Sequence, residues 1–341
     1  MIKINLMDDY SEGCHPRILE ILSETNHVQQ EGYGEDAYSQ EARKLIRENI
    51  DCPGADVFFV SGGTQANLIV IGSALRPHES VIAVNSGHIN VHEAGAIEAT
   101  GHRINSVPGV DGKMRVVDIQ TVLDGHTDVP HMVKPKMVYI SNSTETGTYY
   151  LKDELEELSA FCREKDLFLF MDGARLGSAL SSSGNDLTLA DVARFTDVFY
   201  IGGTKNGALL GEAIVITDDR LKEDFPFHLK QHGALTAKGR LLGIQFVALF
   251  RDDLFFKLAA HANRMATRLA EGIREKQFPF LVEAGTNQIF PIFPDTLVDK
   301  LSEKYGFHVW QKIDKDHSAI RLVTSWATDW EIVDGFIADL E

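Results

Sequence analysis

Cysteine is scarce: Cys14, Cys52 and Cys162 are the three in 341 residues, and none shows a Cys-x-x-Cys spacing. That excludes a disulfide-stapled scaffold and fits a reducing cytoplasm. Basic charge is also short. Against 50 acidic residues stand 33 Lys and Arg, giving a formal net charge of −17 with no basic stripe. Nucleic acid is therefore not an expected partner, because neutralising phosphates takes clustered cations. No apolar run approaches the ~18 residues of a membrane span, and the opening Met1–Asp9 turns polar too early for a signal peptide. Repeats, low-complexity segments, a Walker loop and a GxGxxG fingerprint are all missing. What is left is an ordinary globular composition, 44% hydrophobic and 24% charged. The chain is long enough for one large domain and a smaller second one.

Short apolar runs alternate with helical stretches. Val57–Val60, Val81–Val84, Met137–Ile140, Leu167–Met171, Val198–Ile201 and Ala213–Thr217 read as strands, with helices expected over Gln65–Leu75, Asn90–Thr100 and Leu151–Lys165. The strands do not alternate apolar with polar, so both sheet faces should be covered. The expected class is α/β: a mostly parallel sheet covered by helices, spanning residues 1–236. Beyond it a long helical stretch, Ala237–Lys276, leads into short strands and helices. Residues 237–341 are therefore expected to form a smaller C-terminal α+β domain.

Two strand ends carry chemistry. Lys205 sits in Gly202-Gly203-Thr204-Lys205-Asn206-Gly207, directly after an apolar strand. Alone, that would pass for a surface lysine in a turn. Upstream, however, Met171-Asp172-Gly173-Ala174-Arg175 ends a second apolar strand in a carboxylate. A lysine and a buried acid on successive strand ends are what pyridoxal 5′-phosphate (PLP) chemistry needs. The lysine forms a Schiff base, and the acid keeps the ring nitrogen protonated so that the ring accepts electrons.

Other strand ends fit the same scheme. Ser61-Gly62-Gly63-Thr64 joins a strand to a helix, where backbone N–H groups and the helix dipole form an anion site, or else a plain turn. His88 and His92 lie four apart beside Glu93, but not in the His-Glu-x-x-His order of a zinc site, and no metal is expected. His88 instead suits stacking on a planar ring. Arg321 interrupts the apolar strand Ile320–Val323, and a buried guanidinium requires an anion: a substrate carboxylate, or a structural salt bridge.

Read together, these motifs resemble the threonine aldolase and β-eliminating lyase family, of the aspartate-aminotransferase-like fold. The anchors are Val60–Leu68, Gly87-His88-Ile89 with Glu93 and Gly95, Asp172–Leu176, Lys205 and Ile320–Thr324, with Gly32–Asp36 similar to the family's early glycine-acid loop. The resemblance implies that Lys205, beside Thr204, holds PLP and that Asp172 pairs with its ring nitrogen. It also implies that Gly63, Thr64 and Gln65 bind the phosphate and that His88 stacks on the ring. Arg175 would contact the cofactor or the substrate carboxylate, which Arg321 clamps. The implied reaction is cleavage of threonine or allo-threonine to glycine and an aldehyde, with His88 as base. Another lyase, an aminotransferase or a non-catalytic PLP-binding protein remain as alternatives. A homodimer or homotetramer is implied, with Tyr33 reaching a neighbour's site.

Three segments depart from the family pattern. Its Arg-Ser-Asp-Thr is Met7-Asp8-Asp9-Tyr10 here, placing Asp8 where a serine helps bind the substrate carboxylate. Its Glu-Asn-Thr-His segment is Ser141-Asn142-Ser143-Thr144-Glu145 here, without the histidine, and its Gly-Gly-Gly-Met-Arg-Gln is represented by Gln231–Leu235, without the arginine and with His232 as a substitute acid or base. All three changes fall where the substrate side chain would lie.

Overall fold

The computed structural model describes residues 3–340; Met1, Ile2 and Glu341, which bound the two expected domains, lie outside the described residues. After a short arm strand β1 (Ile4–Asn5), seven strands build the central sheet. They are β2 (Asp56–Val60), β3 (Glu79–Val84), β4 (Arg103–Val107), β5 (Lys134–Ser141), β6 (Phe168–Asp172), β7 (Val198–Gly202) and β8 (Glu212–Ile216), in the order β2-β8-β7-β6-β5-β3-β4. Only β8 runs against its neighbours; every other adjacent pair is parallel.

Period-two geometry explains the apolar runs. On β6, Leu169 and Met171 enter one core while Phe168 and Phe170 enter another; on β7, Phe199 and Ile201 part from Val198 and Tyr200 in the same way. Every residue of β3, β6, β7 and β8 is buried, so each strand needs apolar side chains on both faces.

A third core joins the long helix Leu254–Glu275, through Met265, Leu269 and Ile273, to a smaller antiparallel sheet. That sheet holds β9 (Gln288–Ile289), β10 (Ile292–Pro294), β12 (His308–Lys312) and β13 (His317–Val323); β11 (Tyr305–Gly306) pairs with β1 instead. The N-terminal arm is thus sewn to the C-terminal layer, with Leu6 N–H donating to Gly306 and Val323 N–H donating to Leu6. A division of the chain at 236/237 remains a proposal. It falls before helix Arg240–Phe250, which packs on the large layer against helix Ala37–Asn49. Among the described residues no helix is long and apolar enough to cross a membrane.

Two expected helices are broken, each by left-handed backbone. Asn90–Thr100 resolves into His88–Val91 and Ala96–Ala99, separated by Ala94 (φ 51°) and Gly95 (φ 76°). The stretch 237–276 splits at Asp252 and Asp253, with φ of 55° and 56°, a conformation short acidic side chains tolerate.

Gly243 lets helix Arg240–Phe250 touch helix Ala37–Asn49. A Cβ there would stand 2.6 Å from Ser39 Cα and 2.7 Å from Ser39 N, against backbone that cannot rotate away. Gly243→Ala should therefore destabilise the protein by about 1–3 kcal/mol through overpacking. Urea unfolding reads this directly, and unchanged stability would show that the helices separate freely.

Candidate active site

The carboxyl ends of the parallel strands meet the small sheet at a cleft of about 560 Å³, lined by residues of both. Close approach of β6 and β7 brings Asp172 and Lys205 to its floor. Gly202 N–H donates to Gly173 O at 2.9 Å, and a Cβ on Gly173 would lie 1.8 Å from the Tyr200 carbonyl oxygen. No side chain fits there.

Asp172 ends β6, only 4% exposed. Its Oδ2 accepts from Tyr139 Oη at 2.5 Å and Asn67 Nδ2 at 3.2 Å; Oδ1 accepts from Tyr200 Oη at 2.5 Å and Ala174 N at 3.0 Å. Burial alone would raise its pKa, but the two hydroxyls, the Ala174 N–H and nearby His88 together hold it below the ordinary carboxylate value. Both tyrosines are pushed well above their usual range, by burial first and by the carboxylate second, so they stay donors.

Lys205 follows β7. Among the described residues its amine has no ion pair or hydrogen bond. Burial and the charge of Arg175 lower its pKa, against the opposing pull of Asp9, Asp172 and Glu212. Glu212, opening β8, accepts from Gly203 N at 2.9 Å, and burial raises its pKa against the pull of the Thr204 hydroxyl and Lys205. Thr204 lines the cleft and accepts from Gly211 N at 3.0 Å.

Ser61, Gly62, Gly63 and Thr64 line the cleft where helix Gly63–Ala74 begins. Among the described residues the N–H groups of Gly63, Thr64 and Gln65 have no acceptor, and N-cap Gly62 has no side chain to supply one. The Gln65 side chain is engaged elsewhere, accepting from Ser61 N and Oγ and donating to His232 O. Its backbone, not its amide side chain, belongs to the anion cradle.

His88 lines the cleft with Nδ1 2.8 Å from Glu93 Oε1; its ring centroid lies 5.6 Å from that of His92. Arg321, on β13, donates from Nη2 to Met7 O at 3.2 Å and lies 5.6 Å from the Trp310 ring, with no carboxylate partner among the described residues. Burial, then the charge of Arg175, lowers its pKa. No group of three ligating side chains placed to hold a metal is present among the described residues.

Comparison with known proteins settles the family. The pattern described as beta-eliminating lyase matches residues 8–295. The chain belongs to the beta-eliminating lyase family. It is 33% identical to the low specificity L-threonine aldolase of Pseudomonas aeruginosa, over 98% of this chain and 95% of that one. It superposes on a Leishmania major threonine aldolase structure with a TM-score of 0.97 at 49% identity, covering 99% and 98% of the two chains. An aspartate aminotransferase of Thermus thermophilus, 14% identical with a TM-score of 0.73, shares the fold, covering 99% of this chain and 90% of its own. The family is PLP-dependent, and this cleft fits the cofactor. It offers an unpaired lysine, a buried carboxylate held by donors, and bare N–H groups at a helix N-terminus.

Several expected residues of this lyase stand elsewhere. Asp8 is outside the cleft lining, where it caps its own turn by accepting from Asn5 Nδ2, Tyr10 N and Ser11 Oγ. Its neighbour Asp9, fully buried, takes the inward position, pairing with Arg175 through Nε at 2.7 Å and Nη2 at 3.0 Å. The Arg175 fork is thereby paired with a carboxylate, while Arg321 has no carboxylate partner among the described residues. His232 caps helix Phe225–Gln231, and Tyr33 lies under Lys230, 4.7 Å from its ring centre; neither lines the cleft of its own chain.

Tyr139, Tyr200, Asp9, Glu93, Glu145 and Glu212 were not assigned roles from sequence. Glu212, opening β8, had a signal like that of Arg321 inside β13, a charge in an otherwise apolar strand; the tyrosines looked like ordinary core.

Asp9 and Asp172 are both held below the ordinary 3.8 in the folded state. Their contribution to stability is complete above that value and is lost as the pH falls below it. Asp9→Asn, which leaves Arg175 buried and uncompensated, should cost about 3–5 kcal/mol at neutral pH and flatten the loss of stability on acidification; Asp8→Asn should stay within about 0.5 kcal/mol. Urea unfolding from neutral to acidic pH tests both, and equal stabilities of the two variants would refute the assignment.

Proposed function

We propose that the protein cleaves β-hydroxy-α-amino acids, threonine or allo-threonine, to glycine and an aldehyde. The observation that carries this reading is that Lys205 and Arg321, neither with an ion-pair partner among the described residues, line one cleft with a carboxylate kept anionic by donors. When bound, PLP supplies a ring that takes up the electron pair released at the substrate Cα.

Each residue has a part in this reading. Lys205 holds the cofactor through its amine, Asp172 pairs with the ring nitrogen, and the N–H groups of Gly63, Thr64 and Gln65 take the phosphate. His88 stacks on the ring. Arg321 clamps the substrate carboxylate through its planar fork, which orients the bond to be broken. His88 also accepts the proton of the β-hydroxyl as the aldehyde leaves. β-Elimination and amino transfer are not favoured, because the relatives at 33% identity are named threonine aldolases. A homodimer or homotetramer belongs to the same proposal, with Tyr33, 48% exposed, available to a neighbour's cleft. So does a cytoplasmic location, supported by three unpaired cysteines.

Purified protein should absorb near about 420 nm with bound PLP and release acetaldehyde and glycine from threonine or allo-threonine. Lys205→Ala should lose both. Arg321→Ala should keep the absorbance while KM rises about 10- to 100-fold. A coloured protein that releases no aldehyde from either substrate would refute the activity.

A further inference from the structure

The aldolase reading gives His88 a base's role but leaves open what makes one of its ring nitrogens available. Beside it stands a carboxylate the reaction itself does not use. Glu93 is 6% exposed, between two short helices and directly before the left-handed pair Ala94 and Gly95. Its Oε1 receives two contacts: His88 Nδ1 at 2.8 Å and Asn67 Nδ2 at 2.7 Å. Asn67, fully buried, also donates from Nδ2 to Asp172 Oδ2 at 3.2 Å.

The chemistry of these contacts fixes their direction. Two carboxylates face one Asn67 amide edge, so that edge is the NH₂ group and not the carbonyl. Glu93 Oε1 is then an acceptor, and the His88 nitrogen beside it has to be the one carrying hydrogen. In the neutral ring, Nε2 then keeps the lone pair.

We propose that Glu93 is a positioning residue for His88. It holds the ring in the Nδ1–H form, so that Nε2 is the proton acceptor, and it balances the charge that arrives with the proton; Asn67 ties this pair to the carboxylate beneath the cofactor site. The logic is that of a carboxylate behind a histidine in other general-base sites, where the partner sets tautomer and orientation. The proposal rests on the aldolase reading only for what His88 accepts. The tautomer itself is a property of the chain.

Selective ¹⁵N labelling of histidine in the PLP-loaded protein and in the protein stripped of PLP tests this. The His88 signal, assigned by its loss in His88→Phe, should report a protonated Nδ1 and bare Nε2 in both states. Glu93→Ala should move His88 toward the Nε2–H form and lower kcat by about 10- to 100-fold, with KM and PLP absorbance little changed. Glu93→Gln, which keeps an acceptor but no charge, should retain the tautomer and give an intermediate kcat. Nε2–H in the unmutated protein, or a tautomer unmoved in a folded Glu93→Ala variant, would overturn the proposal. Absence of aldolase activity alongside the expected tautomer would sink the activity and leave the positioning intact.

Discussion

An ionised carboxylate at the buried end of a central strand is unstable unless donors replace the water it has lost. Asp172 has four, and two of them are tyrosine hydroxyls reaching out of the strands on either side, β5 and β7. That requirement propagates outward. Tyr139 and Tyr200 must point to the face opposite Ile140 and Ile201, which fixes the register of both strands against β6. Gly173 must lack a side chain so that β7 can close on β6, and that closure carries the Lys205 loop to the same cleft. The cofactor side of the site is in this sense a consequence of satisfying one buried acid.

The substrate side follows from a second balance of charge. Two guanidinium groups face the cleft, and the protein neutralises only one. Asp9 reaches from the N-terminal arm to grip Arg175, while Asn287, from the C-terminal layer, donates to the same carboxylate at 2.9 Å. Arm, large layer and small layer are thus pinned at one ion pair. Arg321 gives only Nη2 to the Met7 carbonyl, has no carboxylate partner among the described residues, and is disfavoured as a cation by burial first and by the charge of Arg175 second. In the proposed reading, a pair of guanidinium groups of which one is compensated leaves an incoming carboxylate the other as its place to bind.

Much of this was legible in the chain. Continuous apolar runs ending in Asp172, Lys205, His88 and the Ser61–Thr64 turn announced a sheet buried on both faces with its chemistry at one edge. What stayed hidden depended on direction, not on type. Asp8 and Asp9 are adjacent and chemically identical, and only the fold of the arm decides which one faces inward. Tyr139 and Tyr200 sit in hydrophobic strands, where a tyrosine reads as core until its hydroxyl is seen to have a partner. The helix expected at Asn90–Thr100 failed because the chain turns left-handed at Ala94 and Gly95, directly after Glu93 has met His88, which composition alone did not announce.

The departures from the family pattern gain meaning from the same geometry. The segment that lacks the family's histidine ends in Glu145, whose Oε1 accepts from the backbone N–H of His88 at 3.0 Å and from Ser141 Oγ at 2.7 Å. Burial above all raises its pKa, in spite of the Ser141 hydroxyl. His88 is therefore held by two carboxyl groups, one on its ring and one on its main chain. Glu145 Oε1 is occupied by a backbone amide and a hydroxyl, while its buried Oε2 has no hydrogen-bond partner among the described residues. In the proposed aldolase reaction, with Glu145 bracing the loop that carries His88, proton transfer at the β-hydroxyl is assigned to His88, and the support of its ring by Glu93 matters accordingly.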